Sequence, residues 1–174
     1  MPLLAAIYSV AVLAGIAVQD FRRRAFAWWW LPLLCAGFVW MSVTHAQDEL
    51  LYHFAVNMAF VGLQLVLLYA WFSLRARKLV RLIDTHIGLG DVLLFVCLAL
   101  LFSPVNFIVF FCISLVFALL VAIGVKLFRR DASPLIPLAG LLAFPVAVCC
   151  MASVWFDFNL HDDTWLLGFI SSTP

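Results

Sequence analysis

Long apolar runs, each broken by only a short polar or charged connection, constrain this chain more than any other feature. They fall at about 2–18, 28–43, 54–74, 88–103, 105–127 and 134–155. A helix that crosses a bilayer needs about 20 mostly apolar residues, within a range of roughly 17–25. Composition excludes the soluble alternative. The 174 residues are 67% hydrophobic and 11% charged, with a mean hydropathy of +1.17. A soluble domain carries about a quarter charged residues, and one of this size exposes too much surface to hide so much apolar area. The sequence therefore predicts an all-α, polytopic integral membrane protein. It would be a single domain over 1–174, with about six transmembrane helices packed as one bundle.

Orientation follows from the ten Lys and Arg residues. Arg22, Arg23 and Arg24 follow the first run, Arg75, Arg77, Lys78 and Arg81 the third, and Lys126, Arg129 and Arg130 the fifth. The even-numbered connections and the C-terminal stretch carry Asp48, Glu49, Asp157, Asp162 and Asp163 instead. By the positive-inside rule the odd connections are cytoplasmic, which places both termini outside. The first run has no basic leader and no small-residue cleavage site, so it reads as a retained span. With the termini outside, the 156–174 tail would lie on the outer surface. The net charge of +1 includes no basic patch, and nucleic acid is not an expected partner. Cys35, Cys97, Cys112, Cys149 and Cys150 all lie in apolar runs without C-x-x-C spacing, and read as small buried apolar side chains rather than metal ligands or disulfides.

Two carboxylates need a reason. In this topology Asp20 lies at the cytoplasmic end of the first span and Asp91 at the cytoplasmic start of the fourth. Insertion of an Asp at a helix centre costs about 2.5–3.5 kcal/mol, less toward the ends, and an intramembrane acid is by default a functional candidate. Taken singly, each has a structural explanation. Asp91 could be the N-cap of the fourth span, and Asp20 could pair with Arg23 or Arg24 at headgroup level. Taken together, they share one depth and one side. Two carboxylates brought within a few ångström cannot both stay ionised, and such a pair supplies a general base and a general acid. Gly88 and Gly90, just before Asp91, lack a Cβ and allow close approach by another backbone. Asp84 most simply balances Arg81. Asn57 and Gln64 read as interhelical hydrogen-bonding residues. His45, His53 and His161 are expected outside, far apart in sequence and without metal-ligand spacing. No metal or cofactor is expected.

Asp20-Phe21-Arg22-Arg23-Arg24 together with Gly88-Leu89-Gly90-Asp91 resembles the type IV prepilin peptidases, the bacterial branch of the GxGD intramembrane aspartyl proteases. The resemblance extends over nearly the whole chain. Ile136-Pro137-Leu138-Ala139-Gly140 is similar to a later I-P-x-G-like stretch of that family. The resemblance implies a multi-pass protein of the bacterial cytoplasmic membrane, with Asp20 and Asp91 as its catalytic pair. Its activity would be that of an aspartic endopeptidase. It would cut the basic leader from pilin-like or pseudopilin precursors at the cytoplasmic face. Apart from the resemblance, His86, two residues before Gly88, and Arg24 are placed in the sequence to modulate the acids. Three positions depart from the family pattern. Leu93 stands where many members have Lys, Phe26-Ala27-Trp28 replaces the usual I-P-N, and no second glycine-proline follows the I-P stretch. The cysteine-rich domain that larger members use for N-methylation is also missing from this sequence, so methyltransferase activity is not expected. Two other readings compete with the peptidase: a small proton- or cation-coupled transporter, and a non-catalytic assembly protein of the same fold.

Overall fold

A computed structural model describes residues 2–23, 27–43, 48–77, 79, 88–128, 138–165 and 168. Among them the regular structure is entirely helical, in the order α1 (Pro2–Arg23), α2 (Trp30–Val43), α3 (Leu50–Ala76), α4 (Leu89–Leu98), α5 (Pro104–Phe128) and α6 (Leu138–Trp155). Each helix falls on one of the six apolar runs.

Three are long and apolar enough to cross a membrane: Leu3–Arg23, Leu50–Ala76 and Pro104–Val125. The last two place only 11% and 17% of their most apolar windows inside the protein. Leu63, Val66, Leu67, Ile113, Val116, Leu119 and Leu120 are exposed on them. Helices apolar all round with so little buried surface match an apolar solvent rather than water. Cys112 belongs to this exposed face of α5, so it is not the buried residue expected from its apolar run, whereas Cys97 and Cys150 are buried.

The centre of the bundle is α1, which packs most extensively on α6 and then on α2. Leu13 and Ile16 of α1, Leu34 and Phe38 of α2 and Leu142 and Val146 of α6 are fully buried together. The α1–α2 approach is close. A Cβ at Gly37 would lie 2.5 Å from Ser9 Oγ, so only glycine fits. Helix α1 also runs past the expected end of its span and carries Asp20 within its final turns. Arg22 and Arg23 close it, where cations suit the negative end of the helix dipole.

The largest departure from the expected spans concerns α4. A continuous span over 88–103 was expected, but the helix stops at Leu98 and is about 15 Å long, half of a hydrocarbon core of about 30 Å. Residues 99–102 then turn, and α5 begins at Pro104, a residue suited to a first helical position. The turn is held from other helices. The Asn57 side chain of α3 donates to the carbonyls of Ala99 (3.1 Å) and Phe102 (2.8 Å), and Ser42 Oγ of α2 donates to that of Leu100 (2.7 Å). Nothing in Ala99-Leu100-Leu101-Phe102 itself forbids a helix. Pro104 keeps the helix from continuing through this turn, and donors from α2 and α3 satisfy the carbonyls it leaves free.

Asn57→Leu removes both donors and leaves those carbonyls among apolar side chains. It is expected to destabilise the fold by about 1–3 kcal/mol in thermal unfolding in detergent micelles. Unchanged stability would mean that the carbonyls find other partners.

Candidate functional site

At the end of the bundle where α1 finishes and α4 and α6 begin, three chain segments meet around two carboxyl groups. Asp20 is 6% exposed although Phe21, Arg22 and Arg23 beside it all point outward. Its neighbour Gln19 accepts the N–H of Ala27 (3.1 Å), which ties the α1–α2 connection back onto this turn. The N–H of Gly140 donates to Asp20 Oδ2 at 2.6 Å. The donor is the third residue of α6, one of the first-turn amides that have no partner within a helix.

Asp91 reaches the same place from α4. It is not the N-cap. That position belongs to Gly88, whose backbone is extended and which makes no side-chain cap. Asp91 lies in the first helical turn, and its carboxyl turns back toward the N–H of Gly88, as the acidic partner does in a capping box. It also faces the N–H of Ala139, and it lies close enough to Asp20 for the two like charges to interact. The two acids therefore address successive amides of one helix start, Ala139 and Gly140. A helix N-terminus offers unpaired N–H groups and the positive end of the dipole, both of which favour an anion.

The surroundings leave little room. A Cβ on Gly140 would come 3.2 Å from Asp20 Oδ2 and 3.1 Å from the Phe21 ring, and one on Gly88 would come 3.1 Å from Asp91 Oδ2. Both are tighter than ordinary contacts, so glycine at each position lets a carboxyl lie against the backbone. Gly90 is half-buried in the first turn of α4. Leu93, where the family resemblance leads one to expect Lys, is partly buried against the core. Arg24, His86, Asp84, Phe26, Ile136 and Pro137 lie outside the described residues. Among the described residues, no group of three or more His, Cys, Asp and Glu side chains is placed to hold a metal ion.

One contact without any signal in the sequence lies at the other end of α4. His53 of α3 and His161 of the C-terminal segment meet ring to ring, Nδ1 to Nδ1 at 3.3 Å. Their separation in the chain hid the pair, and no spacing rule applies to it. Asn57 and Ser42 were equally hard to place. Asn57 stood out as a polar residue in a span, but its partners are backbone groups of a turn that exists only in the folded chain.

No family model matches the chain, and comparison with curated proteins and with solved structures likewise gives no match.

Asp91→Asn removes one charge from the pair and keeps an oxygen for the Ala139 and Gly88 amides. It is expected to unfold at or above the wild-type temperature in micelles, as residues placed for function rather than stability do. A loss above about 1 kcal/mol would show that the charge itself is needed to hold the start of α4.

Proposed function

We propose that the protein is a membrane aspartyl endopeptidase that removes a basic leader from pilin-like precursors, with Asp20 and Asp91 as its acid–base pair. One observation carries this reading. Two acids that are distant in sequence converge on two successive first-turn amides of α6, those of Ala139 and Gly140, at the end of the bundle where basic residues cluster. A structural role for either acid alone does not call for the other.

In this reading the six helices form one multi-pass bundle in a bacterial cytoplasmic membrane, with the acid pair at the cytoplasmic face and both termini outside. The three shorter apolar helices, α2, α4 and α6, are set among the longer ones. A precursor that enters with its leader in the cytoplasm and its apolar helix in the bilayer places its basic–apolar junction at this depth. A water molecule between the carboxyls gives a proton to one of them as its oxygen attacks the scissile carbonyl carbon. The partner carboxyl, carrying a proton, donates it to the departing nitrogen, and the C–N bond breaks. The proton gained equals the proton given, so the pair is ready again after product release with its roles exchanged. No metal and no nucleophilic side chain takes part. The Gly140 and Ala139 amides hold the two oxygens in register, so their contribution is positional. The resemblance of Asp20-Phe21-Arg22-Arg23-Arg24 and Gly88-Leu89-Gly90-Asp91 to the prepilin peptidases supports the choice of substrate.

The test is processing of a pilin-like precursor by purified protein in micelles. Asp20→Ala and Asp91→Ala are each expected to reduce cleavage by at least about a hundredfold. Undiminished cleavage by either variant would exclude the mechanism. Gly140→Ala keeps both acids but pushes against Asp20 Oδ2, and an intermediate loss of about tenfold is expected from this misplacement.

A further inference from the structure

At the end of α4 away from the acid pair, the C-terminal segment folds back over the bundle. The Ser103 N–H donates to the Leu160 carbonyl (3.1 Å). The Asn106 side chain donates to the carbonyls of Leu160 (3.0 Å) and Asp162 (3.1 Å), and accepts from Trp165 Nε1 (2.9 Å). Ser103 Oγ donates to Asp163. These bonds tie the segment to the start of α5. Its contact with α3 is of a different kind: the His53 and His161 rings lie nearly parallel, 8° apart, with centroids 5.5 Å apart and Nδ1 atoms at 3.3 Å. Two imidazoles joined end to end through Nδ1 have centroids about one nitrogen–nitrogen contact plus two ring radii apart, and the observed separation matches that arrangement. A proton between the two nitrogens joins the rings.

We propose that the His53–His161 pair is a proton-operated clasp that fastens the C-terminal segment to α3 and loosens when both imidazoles are protonated. Proton bookkeeping sets its sense. His53 Nε2 faces Glu49 Oε2 at 3.5 Å, which makes Nε2 the protonated nitrogen of neutral His53 and Nδ1 its acceptor. Neutral His161 then donates from Nδ1. With one proton added, the pair still has one N–H pointing at one lone pair, and Glu49 balances the charge. With a second proton, two N–H groups and two positive charges face each other across the same gap, and the joining bond is lost. The clasp is therefore closed while the pair carries no more than one added proton and is opened by the second, so acidification weakens it.

The other groups around the pair do not reverse this sense. Glu49 is the carboxylate facing His53, and the Tyr52 ring lies beside it at 6.0 Å. Met41 and Ser42 of α2, Leu101 of the α4–α5 turn and Ser153 of α6 line a small cavity with His161, and none of them carries an acidic or basic group. Next to His161 in the segment, Asp163 is engaged by Ser103. Asp162 accepts the Thr164 N–H, which holds its carboxyl below the usual range, so it stays ionised while the histidines titrate.

The clasp does not depend on the peptidase reading. Its test is hydrogen exchange of the full-length protein in micelles at about pH 7.5 and pH 5, spanning the histidine range, with rates corrected for intrinsic chemistry. Protection over 158–165 is expected to fall at least about tenfold at the lower pH relative to the rest of the chain. His53→Asn and His161→Asn, which keep a polar atom near the Nδ1 position, are expected to abolish that pH-dependent fall. No fall in the wild type, or an equal fall in both variants, would overturn the proposal. A second readout needs no variant. Ring-nitrogen NMR signals of the two histidines are expected to follow two separated protonation steps, and coincident independent steps would overturn the clasp equally.

Discussion

Backbone N–H and C=O groups that leave a helix among apolar side chains have to find a partner inside the protein, because neither lipid nor an apolar core supplies one. Much of this structure answers that demand. Helix α4 ends after ten residues, and the carbonyls of Ala99, Leu100 and Phe102 are met by Asn57 and Ser42 from two other helices. Helix α6 begins at the opposite end of α4, and two of its first amides are met by the carboxyls of Asp20 and Asp91. The polar side chains that an apolar chain retains are largely those that close such gaps.

This demand also fixes where α4 lies. Its start is held by the Asp91 carboxyl, which folds back toward Gly88 and across to Ala139, and its end is held by Asn57. A short helix pinned at both ends is a good carrier for a group whose position matters. The cap explanation of Asp91 and the chemical one are therefore compatible, since the contacts that order the helix start are the ones that aim the carboxyl. Asp20 is held as firmly, by Gly140 and by an α1 that continues beyond the depth at which its apolar run fades.

The two ends of α4 thus have different characters. One gathers acids onto a helix start, beside the arginines that close α1. The other gathers neutral polar groups, a histidine pair and the acidic segment from Asp157 to Asp163. A bundle with chemically distinct ends agrees with the separation of basic and acidic connections along the chain.

The number, order and approximate limits of the helices were legible in the sequence, because apolar runs of spanning length with charged ends leave a chain few other choices. That Asp20 and Asp91 come together was legible as well, because each is an acid at the end of an apolar run and a short carboxylate cannot reach far for water as lysine can. What only the tertiary structure decided was the set of partners. The sequence offered Asp91 as an N-cap, whereas the fold gave that position to Gly88 and turned Asp91 toward α6. It offered one span from 88 to 103, whereas α4 ends at Leu98 and its freed carbonyls are met by donors from α2 and α3. His53 and His161, dismissed singly, became a pair. The physical reason is the same in each case. The cost of an unsatisfied polar group can be read from the residue that bears it, but the group that satisfies it comes from another part of the chain, and only the packing of the helices says which.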